Sequence, residues 1–353
     1  MTITKLDSYF KRVQHLTPTR YWVNNPTRMQ AKESISYGAV GCTTNPALLS
    51  KVLVDAEERK FIHEVIREEL SEETNDTKVL ENVQRRVVSE IATIFKPLHD
   101  LSGGNKGFVS IQGDPFKETV DNIIGYARAN TAVSSNILAK IPVTPNGLLA
   151  IRELLSTGVP VLATEVMSVA QFIDVAELYE ELKRKGQAKA TLIFAQIAGI
   201  FDQHLSEYVK NQKIDIWPDT LWYAGLEIMR KIEQIKHERG YTICSLSGGA
   251  RALHHFTDMV GADSGVTINW VGTSEELIAQ NPSVVRQFCR PTPFSVIDEL
   301  CCKLRVFKQA YEVNGLAPEE YEAFGPVALF RSMFEDGWKS ALDVVAECRN
   351  QGR

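Results

Sequence analysis

Lys140 is the residue with the most pointed chemistry. It interrupts an otherwise apolar run, Ile137-Leu-Ala-Lys-Ile-Pro-Val143. Lysine is almost never fully buried without a partner or a task. An ammonium stripped of water gives up its proton more readily, so burial favours the neutral amine. A neutral amine attacks a ketone or aldehyde carbon and, with loss of water, forms an imine. The run alone leaves a second reading open: a lysine whose head reaches solvent, or a carboxylate, between flanking helices.

Three other segments offer polar groups at the ends of apolar runs. In Gly41-Cys-Thr-Thr-Asn-Pro-Ala-Leu-Leu49, Thr43 and Asn45 could orient the hydroxyls of a polyhydroxy compound. Asn45 followed by Pro46 also reads as a helix cap with proline at the first helical position, and that alone could explain the motif. In Ser245-Leu-Ser-Gly-Gly-Ala-Arg251, the predicted anion site combines Ser247, the backbone at Gly248 and Gly249, and Arg251 at a helix start. An ordinary turn with a solvated arginine is the plain alternative. Thr164 and Glu165 close a fifth run; the threonine could hold a water, and the glutamate could be an acid or base or a surface carboxylate. His254 and His255 have no ligand partner at useful spacing and read as structural. The five tryptophans, Trp22, Trp217, Trp222, Trp270 and Trp338, read as packing.

Eight short apolar runs must position these groups. They cover residues 21–23, 39–43, 107–112, 137–143, 159–164, 190–194, 242–245 and 265–270. Several are continuous rather than alternating, as expected of parallel strands covered on both faces. Helical patterns lie between them, including one at Leu221, Trp222, Leu226, Ile228 and Ile232 with Asp219 as its cap. The long crossover after the second run, residues 44–106, has room for extra helices. Eight strands alternating with helices predict an α/β fold, a (β/α)8 barrel, whose active site lies at the C-terminal strand ends. From Pro291 onward only helical patterns occur: one from Val296 to Phe307, one from Tyr321 to Phe334, and one from Trp338 to Cys348. The expected organisation is one domain, with the barrel over about 20–290 and a helical extension over 291–353.

The composition is that of a globular protein. In 353 residues, 24% are charged, 44% are hydrophobic and the net charge is −5, against a general nucleic-acid binder. No apolar run approaches the length of a membrane span, and residues 1–7 show no apolar signal core. Six scattered cysteines without CxxC spacing indicate neither a zinc site nor a redox motif and fit a reducing cytoplasm. Dinucleotide and P-loop signatures are absent, so no nucleotide cofactor is indicated.

The segment 41–49 resembles the GVTTNPSLL signature of transaldolases, and Lys140 in Ile-Leu-Ala-Lys-Ile-Pro-Val-Thr looks like their Schiff-base lysine. Gly158-Val-Pro-Val-Leu-Ala-Thr-Glu-Val-Met-Ser-Val-Ala-Gln171 is similar to the strand and helix that follow that lysine. Order and spacing agree over roughly residues 20–275. The resemblance implies a (β/α)8 barrel and a class I aldol mechanism with no metal or organic cofactor. In it, a three-carbon ketol unit moves from a ketose to an aldehyde. By position, Lys140 matches the nucleophile, Thr43 and Asn45 the donor contacts, Thr164 the threonine that holds the catalytic water, and Arg251 one of two phosphate arginines.

Three positions depart from the pattern. The first strand offers Asn24 (or, one residue on, Asn25) for a catalytic aspartate, and the third offers Gln112 for a glutamate. The segment after the sixth run puts Gly199 where the second arginine is expected. Amides do not act as acids or bases near neutral pH. The sequence therefore predicts a slow enzyme on ordinary transaldolase substrates. It also predicts weaker phosphate recognition, and hence a nonphosphorylated or differently charged substrate, unless Arg20 or Lys106 compensates. Two rivals stand beside the transferase: an aldolase using the same imine with Glu165 as substitute acid/base, and an inert barrel that binds a ligand or protein. The expected partner is a small sugar or sugar phosphate, with neither nucleic acid nor membrane, and a homodimer is compatible.

Overall fold

A computed structural model describes residues 7–351; the reading of residues 1–6 lies outside them. The strands are β1 (Arg20–Asn24), β2 (Gly41–Thr43), β3 (Phe108–Ile111), β4 (Ile137–Pro142), β5 (Val161–Val166), β6 (Leu192–Gln196), β7 (Cys244–Ser247) and β8 (Gly265–Asn269). All pair in parallel, in chain order, and β1 closes on β8 to make a barrel. Each overlaps one of the eight apolar runs, with β5, β6 and β7 lying two residues later than expected. The runs are apolar because the barrel is filled inside and packed by helices outside. Val23, Cys42, Val109, Leu138, Leu162 and Phe194 are completely buried.

The long second crossover holds three helices, Leu48–Val52, Ala56–Glu72 and Asp76–Leu101. The sixth differs from expectation. A helix Ala198–Gln212 leaves β6 directly, a short turn Pro218–Leu221 follows, and Ala224–Glu238 carries the pattern seen in the sequence. Asp219 therefore lies inside the short turn and caps nothing. Trp22, Trp270 and Trp338 are buried, but Trp217 is exposed and Trp222 half-exposed, the latter stacked on the His254 ring at 3.6 Å.

The C-terminal segment contributes Phe294–Lys303, Arg305–Tyr311 and one continuous helix, Gly325–Gln351. The two separate patterns expected from Tyr321 to Cys348 are thus a single element, with Tyr321 just before its start. Gly337 does not break it, because the glycine is where the helix meets the loop after β2. A Cβ there would stand 2.5 Å from the Cβ of Ala47. Among the described residues, no helix is long and apolar enough to cross a membrane.

Candidate active site

Lys140 lies in the middle of β4, opposite Leu162 of β5, and only 7% of it is exposed. Its Nζ donates to the Thr44 carbonyl at 3.2 Å and sits 5.3 Å from the centre of the Phe334 ring. Burial pulls its pKa down to about 8; the Glu165 carboxylate opposes the shift and the charge of Lys51 adds to it. With a pKa of about 8, roughly a tenth of this lysine is neutral amine at pH 7, far more than for an ordinary lysine, and the neutral form is the one imine chemistry requires.

The amine faces a cavity of about 700 Å³, mouth included, at the C-terminal strand ends. Asn24, Thr43, Asn45, Thr164, Gly249 and Arg251 all line it. Six of the residues singled out in the sequence thus meet around Lys140. The Thr43 hydroxyl lies 2.6 Å from that of Thr267 and donates to Asn24 Oδ1 at 3.0 Å. Asn24 Nδ2 donates to Asn269 Oδ1 at 2.8 Å. Asn45 Oδ1 accepts from the Ala47 amide at 3.1 Å, but in a turn before the helix: the helix starts at Leu48 with Ala47 at its cap, so Asn45 is not the N-cap and Pro46 not the first helical residue. Of the two asparagines considered, Asn24 at the end of β1 lines the cavity, while Asn25, just after it, donates to Asn45 Oδ1 at 3.0 Å.

Gln112 and Glu165 form a second group, bonded Nε2 to Oε1 at 3.1 Å. Glu165 is 1% exposed and has φ of +62°, a conformation costly for a non-glycine residue. The β5–β6 register shifts between Ala163 and Val166 at this point. Burial raises the Glu165 pKa, with the Gln112 bond and the Lys140 charge holding it back. Neither residue borders the main cavity; Gln112 and Lys140 share a smaller one of about 330 Å³. The Thr164 hydroxyl and Gln112 Oε1 are buried with no protein partner.

The loop after β7 brings Gly249 and Arg251 to the cavity but not Ser247. That side chain is buried and donates to Gln196 Oε1 at 3.3 Å. The helix begins at His254 rather than at Arg251. Arg251 donates to Gln203 Oε1 at 2.7 Å and to two carbonyls of its own loop, with no carboxylate partner among the described residues.

Arg20 and Lys106 cannot reinforce it. They border a different cavity at the N-terminal strand ends, with Arg20 held by the Thr17 and Thr19 carbonyls. Lys51 was missed, and it lines the active-site cavity with no anionic partner among the described residues. Burial and the charge of Arg251 lower its pKa. The signal was present: a helix that follows a barrel strand starts at the mouth, and Lys51 is in the short helix that begins three residues after Asn45.

Gly199 has no room for a side chain. A Cβ there would stand 2.2 Å from the Gly249 carbonyl and 3.0 Å from Ala250 Cα. Gln203, one turn later, is the residue that reaches Arg251. Gly199→Ala should therefore lower unfolding free energy by about 1–3 kcal/mol. Denaturant titration checks this, and an unchanged midpoint would show that the loop yields freely.

The same helix corrects the reading of the histidines. Asp202 stands 3.1 Å from His255 Nε2, a partner from the preceding crossover that linear spacing did not reveal. The Asp202, His254 and His255 ligand atoms lie within 4.8 Å of one another.

A closed eight-stranded parallel barrel with helices between its strands is a (β/α)8 barrel, and Lys140 is buried in the wall of the cavity at its C-terminal mouth. The chain belongs to the transaldolase/fructose-6-phosphate aldolase family, whose model matches residues 21–288. It is 30% identical over 174 residues to a transaldolase of Saccharopolyspora erythraea, 47% of this chain and 45% of that one. It is 29% identical over 202 residues to a transaldolase of Trichodesmium erythraeum, 55% of this chain and 52% of that one. The matches span about half the length of these relatives. A solved dihydrodipicolinate synthase from Rhodopseudomonas palustris aligns over 94% of this chain and 98% of its own at 12% identity, with a TM-score of 0.31 too low to add to the fold argument.

Proposed function

We propose that the protein is a lysine-imine transferase that moves a three-carbon ketol unit from a ketose to an aldehyde. The observation that carries this reading is Lys140, its amine buried in the cavity wall with a pKa of about 8. The amine adds to the ketose carbonyl and water leaves. A base takes the C4 hydroxyl proton, the C3–C4 bond breaks, and an aldehyde departs while the electron pair remains on the lysine-bound fragment as an enamine. Addition of that enamine to an acceptor aldehyde and hydrolysis of the imine complete the cycle.

Glu165 is the proton carrier in this reading, because Asn24 and Gln112 have no proton to exchange. Its support is its burial, its raised pKa and its bond to Gln112. Thr164, whose hydroxyl on the cavity has no partner among the described residues, is the group that holds the catalytic water in this reading. Thr43 and Asn24 hold donor hydroxyls. A second reading, aldol cleavage with release of the three-carbon fragment, draws support from the same two amides. Six free cysteines support a reducing, cytoplasmic setting.

Lys51 revises the substrate. Two cations without carboxylate partners among the described residues favour an anionic group at the mouth, such as a sugar phosphate, over the nonphosphorylated compound expected from Gly199. Each charged hydrogen bond is worth about 1.5–3 kcal/mol. Lys51→Ala and Arg251→Ala should each raise KM for a phosphorylated ketose about 10- to 100-fold, with kcat changed less. Equal KM values for paired sugars with and without phosphate would contradict this.

The deciding assay supplies fructose 6-phosphate and erythrose 4-phosphate and follows products by mass spectrometry. A seven-carbon ketose phosphate supports transfer. Free dihydroxyacetone alone supports the aldolase reading. Neither product, across a panel of ketoses, would leave an inert barrel.

A further inference from the structure

The β7 loop that carries Arg251 is held by a pair that the chemistry above does not use. His255 is 7% exposed. Its Nδ1 lies 3.1 Å from the Ala252 amide nitrogen and 3.3 Å from that of Arg251. Two N–H donors aimed at one ring nitrogen require its lone pair. The nearby Ala252 carbonyl, also 3.3 Å away, would require a proton there instead and loses to the two donors. The ring proton is therefore on Nε2, which donates to Asp202 Oδ2 at 3.1 Å. The other Asp202 oxygen accepts from the Gly225 amide at 2.7 Å. One carboxylate and one imidazole thus tie helix Ala198–Gln212, helix Ala224–Glu238 and the β7 loop together.

We propose that Asp202 is a positioning residue for Arg251. It holds His255 in the Nε2–H tautomer, which leaves Nδ1 free to grip the Arg251 and Ala252 amides and so aims the guanidinium at the anionic group of the substrate. The proposal rests on the anion site assigned above to Lys51 and Arg251. Asp202→Asn keeps the shape but offers an NH2 group where an acceptor is needed. Asparagine can satisfy either Gly225 or the imidazole proton with its one oxygen, not both with two. If the amide nitrogen faces His255, the ring proton is driven to Nδ1 and the grip on the loop is lost.

The test measures inorganic phosphate binding by calorimetry in wild type, Asp202→Asn, Arg251→Ala and the double variant. This readout does not depend on turnover. Asp202→Asn should weaken phosphate binding about 5- to 30-fold, as expected for one or two lost neutral hydrogen bonds. It should add no further loss in the Arg251→Ala background, since it acts through that side chain. Wild-type affinity in Asp202→Asn, or an undiminished additional loss in the double variant, would overturn the proposal. So would a wild type that binds no phosphate, whatever borohydride trapping shows at Lys140. Should Asp202→Asn fail to fold, His255→Gln and His255→Leu replace it. The glutamine oxygen accepts the same amides and should keep phosphate binding, whereas leucine should lose it; equal affinities in the two would be contrary to the proposal.

Discussion

Lys140→Met should lose transfer activity by on the order of 10,000-fold or more, because the thioether has no amine to form the imine. Lys140→Arg should do no better: the guanidinium keeps the charge but stays protonated and is no nucleophile. Steady-state kinetics on purified variants checks this, with circular dichroism to show that the barrel is intact. The pH dependence has a definite sign. Burial lowers the Lys140 pKa to about 8, so the reactive neutral form falls tenfold per unit below that value. Imine formation should rise with pH and level off above about 8. Lys51→Met removes a neighbouring cation that helps depress this pKa, and should move the plateau to higher pH.

Glu165→Gln should lower kcat about 100- to 10,000-fold, the range for one acid–base group. The imine should still form, since Lys140 is untouched. That separation distinguishes a proton carrier from a residue that only supports the fold. Gln112→Glu in the Glu165→Gln background moves the carboxylate to the residue that follows β3, across the same 3.1 Å contact, and should restore part of the rate. Single-turnover measurements of adduct formation and product release read both effects. Equal kcat in Glu165→Gln and wild type would remove Glu165 from the mechanism.

The barrel was legible because its strands are buried on both faces. Ile137-Leu-Ala-Lys-Ile-Pro-Val143 reads as a strand from continuity alone, and a lone lysine in it stands out. The polar groups at strand ends, from Thr43 to Arg251, followed once the C-terminal mouth was assigned. What escaped depended on distant segments or on backbone detail. The helix Ala198–Gln212 was hidden because Ala-Gly-Ile-Phe continues the apolar run of β6. Nothing in residues 325–351 announces that Phe330, Met333 and Phe334 close the cavity over Lys140. Ser247 sits beside Gly248 and Gly249 in the sequence, yet it turns to β6 rather than to the cavity. The left-handed backbone at Glu165 has no local cause, since no glycine or asparagine marks it. The Asp202–His255 pair joins residues 53 apart and forms only when two crossovers pack.

The central claim is a covalent imine on Lys140, and borohydride reduction tests it most directly. Wild-type protein incubated with a ketose and sodium borohydride should gain the mass of the reduced sugar fragment, and peptide mapping should place that mass on Lys140. The Lys140→Met variant should gain nothing under the same conditions. An adduct mapped to another lysine, or none in wild type across a broad panel of ketoses, would contradict the account.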